Sequence, residues 1–202
     1  NSYNVAVGYG AGNAITTGYQ NTALGGLALD ELTTGHRNVA LGFGAISSAS
    51  TGSDNTAVGN YALIENTSGE KNVAVGSYAL DANTTASYNV GIGYSALGAN
   101  TTGQYNTAVG SALSSNTTGG DGVAIGHSAL ASNTTGSYNV AIGVNALTAA
   151  TTADSNTAIG HQAGDAITTG DLNVAIGKDA MGANTVGDRN VAIGANALQA
   201  YN

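Results

Sequence analysis

The chain has no cysteine, no proline and no tryptophan, and only 8% of its 202 residues are charged. The absence of cysteine excludes disulfides, thiolate metal ligands and cysteine nucleophiles. Four Lys and Arg against twelve Asp and Glu give a net charge of -8. This balance argues against nucleic acid as a partner, because a phosphate backbone is bound by clustered cations. No stretch approaches the ~20 apolar residues of a membrane-spanning helix, so membrane insertion is not expected.

What the chain has in abundance is glycine, 31 residues, set within a repeated phrase. The phrase N-[VT]-A-[VIL]-G recurs in twelve copies at a spacing of 17 residues, with a single spacing of 16; two copies depart from it by one residue, Gly91 for the Ala and Gly122 for the Asn. Counted from the Asn as position 1, Gly stands at position 5 and Ala at position 8 of every copy. Position 9 is usually Leu, and positions 13 and 14 are nearly all Thr or Ser. Such a period indicates a repeat architecture with one structural unit per copy.

The repeat predicts an all-β fold, a parallel β-solenoid with one 17-residue coil per copy. Each coil is expected to contain two strands of about five residues joined by two turns. Alternation across positions 1 to 5 places positions 2 and 4 on the same side of a strand. We expect those aliphatic side chains, with the Leu of position 9, to face the interior. The predicted core comprises Val5, Val7, Val58, Leu63, Ile92, Leu97, Ile125, Leu130, Val140, Ile142, Leu147, Ile159, Ile176 and Ile193.

The Gly of position 5 and the Asn of position 1 are predicted to form turns and close packing. The glycines are Gly8, Gly59, Gly76, Gly110, Gly143 and Gly177, and the asparagines are Asn4, Asn55, Asn139 and Asn173. The Asn column is expected to stack its amides from coil to coil. Because one coil encloses little apolar surface, we also expect the smooth Asn-Ala-Gly side to pack against a second chain. A homo-oligomer is therefore predicted rather than a free monomer.

Two copies carry Gly instead of Leu at position 9, Gly12 and Gly164, and both carry Ile at position 12, Ile15 and Ile167. We interpret this exchange as two positions that fill the same interior space.

The phrases NVAIGVNAL (Asn139–Leu147), NTAVGNYAL (Asn55–Leu63) and NVAIGANAL (Asn190–Leu198) resemble the head repeats of YadA-like trimeric autotransporter adhesins. With the N-T-T-G turn between them, they are also similar to repeats of bacteriophage tail fibres. The resemblance covers essentially the whole chain. It implies a left-handed parallel β-roll packed as a homotrimer about a fibre axis, and an extracellular location on a cell or virion surface.

Few residues suggest chemistry. The three histidines, His36, His127 and His161, have no recurring carboxylate beside them, so neither a metal nor a cofactor is expected, and no catalytic set is found. Asn66, Asn83, Asn100, Asn116 and Asn133 begin N-x-[ST] glycosylation patterns but are better interpreted as a column of turn-forming residues. Tyr88, Tyr105 and Tyr138 at position 17 offer rings on which a glycan receptor could stack, although Tyr is also an ordinary solvent-tolerant turn residue.

The predicted function is structural or adhesive, a rigid segment of a trimeric surface or viral fibre that spaces adhesive elements. Residues 1–202 are interpreted as one repeat region, and a chain that starts within its own pattern is expected to be a piece of a longer fibrous protein. The first alternative is a filament subunit that stacks end to end through uncapped coils. The second is an ice-binding solenoid that uses the Thr columns at positions 13 and 14, beginning at Thr16 and Thr17.

Overall fold

A computed structural model describes residues 2–48 and 51–199 and shows one parallel sheet of twelve strands in chain order. Each strand has three residues and hydrogen-bonds to the next at a register of one repeat, as in Thr56↔Val73. No helix occurs within the described ranges. The strands are β1 (Val5–Val7), β2 (Thr22–Leu24), β3 (Val39–Leu41), β4 (Thr56–Val58), β5 (Val73–Val75), β6 (Val90–Ile92), β7 (Thr107–Val109), β8 (Val123–Ile125), β9 (Val140–Ile142), β10 (Thr157–Ile159), β11 (Val174–Ile176) and β12 (Val191–Ile193). The all-β parallel solenoid is confirmed, and at the ~4.8 Å strand spacing it forms a rod ~55 Å long.

The expectation of two strands per coil is wrong, because in the described residues the side opposite the sheet consists of turns. Non-glycine residues at positions 7, 9 and 17 have left-handed backbones, for example Tyr61 (φ 56), Leu63 (φ 56) and Lys71 (φ 57). Alternating left-handed residues do not form a β-strand. Backbone bonds still join the coils there, as from the Leu63 amide to the Ala79 carbonyl, 2.9 Å.

The prediction that the strand side chains of positions 2 and 4 face the interior is also wrong. Position 3 is buried as Ala in ten coils and as Gly91 in one, with Ala6 of the first coil exposed, whereas positions 2 and 4 face outward. Of the predicted core, the Leu residues of position 9 are confirmed as buried: Leu63, Leu97, Leu130 and Leu147. Val58, Val140 and Ile176 are half-buried on the outer surface. Val5, Val7, Ile92, Ile125, Ile142, Ile159 and Ile193 are exposed.

The narrow interior explains this orientation. A Cβ added at Gly91, in the sheet, would lie 3.3 Å from Cγ of Leu80, a position-9 residue of the turn side. Leu therefore reaches across the coil and touches the opposite wall, so only Ala or Gly fits beneath it. The exchange between positions 9 and 12 is confirmed in the same way, because a Cβ added at Gly164 would lie 3.1 Å from Cδ1 of Ile167.

Glycine is required at position 5, where φ ranges from 121 to 142 in every coil except one. A Cβ at Gly143 would approach the Gly160 carbonyl oxygen to 2.4 Å. Gly8, Gly59, Gly76 and Gly177 share this conformation. The exception, Gly110 (φ 92), begins the turn of the 16-residue coil. The deletion thus falls in a turn, as expected.

The Asn of position 1 forms a buried ladder along the rod. The backbone nitrogen of Asn72 donates to Asn55 Oδ1 of the preceding coil at 3.0 Å. The side-chain Nδ2 of Asn72 donates to the Ala86 carbonyl at 2.8 Å and so links the start of the coil to its end. Predicted packing residues Asn4, Asn55, Asn139 and Asn173 all belong to this ladder. The amide stacking is confirmed, but it lies inside the coil. The Asn-Ala-Gly side is therefore not available to a second chain.

A second amide ladder runs through position 12. Asn83 Nδ2 donates to Asn66 Oδ1 at 3.0 Å, and Asn100, Asn116 and Asn133 continue the series. All five asparagines are buried, so their amides are occupied within the coil rather than presented as glycan acceptors. This agrees with the interpretation of turn-forming residues.

Candidate interaction surface

The outer side of the sheet is a continuous apolar face, defined here as positions 2 and 4 of each coil. Position 2 is Val or Thr, and position 4 is Val, Leu or Ile throughout the twelve strands. Ile92 and Ile142 are 39% and 36% exposed in β6 and β9, well inside the rod, where no end effect explains the exposure. A strip ~55 Å long and ~10 Å wide has a plane area of roughly 550 Å², at the upper end of the largest apolar patch of a typical monomer.

The downstream edge, defined as positions 6 and 7, borders this face after the strand. In the first six coils it carries one large apolar side chain per coil: Tyr9, Leu27, Phe43, Tyr61, Tyr78 and Tyr94. Ring centroids along the last four lie 5.5, 5.7 and 6.1 Å apart.

Three glycines on this edge provide room for the side chains that follow. A Cβ added at Gly44 would lie 2.7 Å from the Tyr61 ring, and Gly26 and Gly10 make the same space for Phe43 and Leu27. The row is therefore packed coil against coil. In later coils the edge is mostly polar, with His127, His161 and Lys178 at position 6, and it also includes Val144, which is 43% exposed.

The upstream edge, defined as positions 16 and 17, borders the face before the strand. Arg37 Nε and Nη2 donate to the Asp54 carboxylate at 2.6 and 2.8 Å, and this pairing holds the pKa of Asp54 below its usual range. In the next coils Lys71 Nζ donates to the Tyr88 hydroxyl at 2.9 Å and lies 4.8 Å from the centre of that ring. The first half of this edge is thus mixed in charge and aromatic.

Farther along, the upstream edge becomes an acidic column. The backbone amide of Ser137 donates to Asp154 Oδ1 at 2.6 Å, that of Asp154 to Asp171 Oδ1 at 2.7 Å, and that of Asp171 to Asp188 Oδ1 at 2.8 Å. Each bond uses one oxygen of a carboxylate and fixes the group on the edge. The column therefore presents ordered negative charge, one group per coil.

The tyrosines predicted to stack on a glycan lie on the upstream edge. Tyr88 and Tyr105 are stacked face to face, with centroids 4.9 Å apart and planes 13° apart. With Lys71 over its other side, Tyr88 has no open face for a sugar. The glycan hypothesis stays a prediction that rests on Tyr105 and Tyr138, which are 53% and 63% exposed.

Other candidate sites remain dispersed. His127 and His161 belong to separate coils of the downstream edge, and His36 stacks on Tyr19 at 4.7 Å on the upstream edge. Across residues 2–48 and 51–199, no group of three or more His, Cys, Asp or Glu residues is placed to hold a metal ion. The same part of the chain contains no helix long and apolar enough to cross a membrane.

The Thr columns are only partly available to a ligand. Hydroxyls of position 13 donate to carbonyls of the next coil, as from Thr134 Oγ1 to Thr151 at 3.0 Å. Position 14, which includes Thr135 and Thr152, is exposed. The ice-binding alternative therefore stays a prediction that depends on this exposed column, and absence of thermal hysteresis in solution would eliminate it.

Comparison with known proteins yields no matching family model, no matching curated protein and no matching solved structure.

Proposed function

We propose that this chain is a structural rod segment of a homotrimeric surface or viral fibre, assembled through the apolar face. The observation that carries the proposal is the unbroken column of Val, Leu and Ile at position 4, one residue per coil, outside rather than inside the coil. A column of this length in water is unfavourable, and burial contributes about 25 cal/mol per Å² of apolar surface. The repeats that resemble YadA-like heads support three chains in parallel.

A parallel arrangement suits the composition of the face. Chains related by rotation about the fibre axis place each position-4 side chain beside its own equivalents, so aliphatic residues meet aliphatic residues in every coil. No cofactor or catalytic group takes part in this function. Its output is mechanical, a straight segment of fixed length on which adhesive elements are spaced outside a cell or virion.

Sedimentation equilibrium tests the proposal. The wild-type chain is expected as a trimer at micromolar concentration, and the double variant Ile142→Gln, Ile159→Gln is expected to dissociate with its circular dichroism unchanged. The matched control is Thr152→Gln, Thr169→Gln, which alters exposed residues of the same coils on another side of the rod. A monomeric wild type would refute the proposal, and long end-to-end fibrils in electron micrographs would favour the filament alternative.

A further inference from the structure

The apolar face alone is too small for the assembly proposed above. Its ~550 Å² of plane area falls below the ~800 Å² that each partner buries in a standard interface, and a trimer divides it between two neighbours. The two edges that border the face are therefore the surfaces on which the remaining contact depends.

Symmetry determines which edges meet. In any cyclic assembly about an axis parallel to the rod, the downstream edge of one copy faces the upstream edge of the next. Such contacts join unlike surfaces at equal height. In an antiparallel pair, by contrast, each edge meets the same edge of its partner.

Height along the rod then determines which residues meet. Because the chain climbs one strand spacing, ~4.8 Å, per coil, position 6 lies in height between position 16 of the preceding coil and position 16 of its own coil. His161 is thus level with the interval between Asp154 and Asp171 of a neighbouring copy. Lys178 is level with the interval between Asp171 and Asp188.

We propose that the downstream edge of each subunit binds the upstream edge of its neighbour, with His161 and Lys178 set between the carboxylates of the acidic column. This inference rests on the proposed function, since it requires a parallel cyclic assembly. Lys178 is complementary in charge to the acidic column, although it also lies 3.1 Å from Asp179 of its own chain and Arg189 follows Asp188. His161 contributes a ring N–H that can donate to a carboxylate oxygen. The carboxylates are already oriented by backbone amides, so little order is lost when a cation approaches them.

The same register matches the aromatic halves of the two edges. Tyr78 falls between Lys71 and Tyr88 of the neighbouring copy, and Tyr94 falls between Tyr88 and Tyr105. Aromatic side chains and a cation over a ring are typical of the central contacts of protein interfaces. The contact therefore changes from aromatic in the early coils to ionic in the late coils, and this change fixes the height at which the chains meet.

Cysteine cross-linking tests the pairing, and the chain has no cysteine of its own to interfere. In the variant Asp154→Cys, His161→Cys the two sites lie on opposite sides of β10, about 20 Å apart along an extended chain, so a disulfide within one chain is impossible. Oxidation is expected to move most of the chain from the monomer band to a covalent closed trimer in denaturing gels. The control Phe43→Cys, His161→Cys joins two downstream edges and cross-links only in an antiparallel pair.

The outcomes separate the two proposals. Cross-linking of the first variant alone supports the edge pairing. A trimer in sedimentation without that cross-link, or with cross-linking of the control, overturns the edge pairing and leaves the rod function standing, whereas a monomeric chain overturns both. A second measurement uses Asp154→Asn, Asp171→Asn, which keeps the oxygen acceptors but removes the charges. It is expected to raise the dissociation constant severalfold in dilute buffer and to reduce its dependence on salt, with Lys178 and Asp188 still charged.

Discussion

The Asn ladder of position 1 is interrupted at a single place, Gly122, and the interruption gives a quantitative prediction. The backbone amide of Gly122 donates to Asn106 Oδ1 at 2.9 Å, so the ladder bond from the preceding coil is formed. On the following side Gly122 offers no side-chain oxygen to the buried Asn139 amide, and the closing bond to the Gly136 carbonyl is missing. We expect Gly122→Asn to restore both bonds.

The expected gain follows from two terms. A buried amide left without a partner costs about 1–3 kcal/mol, and replacing a glycine in an ordinary backbone conformation contributes roughly 0.4–1 kcal/mol. The sum is about 1.4–4 kcal/mol, which corresponds to a rise in Tm of roughly 3–16 °C for a chain of this size. A new Cβ would lie 2.9 Å from Asn106 Oδ1, a side-chain atom, and the other coils accept an Asn beneath the same neighbour.

Thermal and urea unfolding, followed by circular dichroism, measure the effect. The control is Gly122→Ala, which shares the backbone term but forms neither bond, so the Asn variant should exceed it by at least about 1 kcal/mol. Equal stability of the two variants would show that the ladder does not stabilise the coil as described.

Three further sets of substitutions test the packing and hydrogen bonding within the coil. Gly143→Ala is expected to lower the free energy of unfolding by more than about 3 kcal/mol, because its backbone is left-handed and its new Cβ would meet the Gly160 carbonyl of the next coil. A Cβ at Gly103 would also meet the next coil, at the Gly119 carbonyl, but the Gly103 backbone is not left-handed and Ala86 and Ala153 already occupy that column, so Gly103→Ala should destabilise less than Gly143→Ala. Asn100→Ala breaks the second ladder at a buried site and is expected to destabilise by about 2–4 kcal/mol in urea unfolding; a change below about 1 kcal/mol would contradict the ladder's role. Gly164→Leu and Ile167→Ala should each lower the free energy of unfolding, by about 1–3 and 2–5 kcal/mol respectively. The double variant should be nearly as stable as the wild type, and additive losses would show that the two side chains do not fill the same interior space.

The period of the repeat was sufficient to predict the solenoid, the turn glycines, the stacked amides and the exchange of Ile15 for a missing Leu. It did not predict which side of the strand faces inward. Alternation divides the strand residues between two sides but does not show which side is buried. Larger aliphatic residues are usually the buried ones, but here Leu from the opposite wall already fills the interior of the coil. The columns did contain the signal: position 3 is Ala in all copies but one, whereas position 2 alternates between Val and Thr, as expected where a residue is only half-buried.

The second strand and the interaction surface were missed for related reasons. Leu and Tyr are not typical of a left-handed backbone, so the turn side was not evident from Leu63 or Tyr61. The edges were missed because their residues vary freely from copy to copy. The proposed pairing of His161 with the interval between Asp154 and Asp171 of a neighbouring copy depends on the height of each residue in the folded rod, which the sequence does not display.

The hydrogen bonds of the sheet join neighbouring coils at a register of one repeat, as from the Thr56 amide to the Asn72 carbonyl at 2.8 Å. Removing or duplicating a whole repeat, for instance by recombination between near-identical stretches of coding sequence, leaves each remaining bond with an equivalent donor and acceptor. Rod length is therefore a quantity that can change in steps of ~4.8 Å without redesign of the fold. A loss of part of a repeat is tolerated only where the backbone turns, as it does after Gly110.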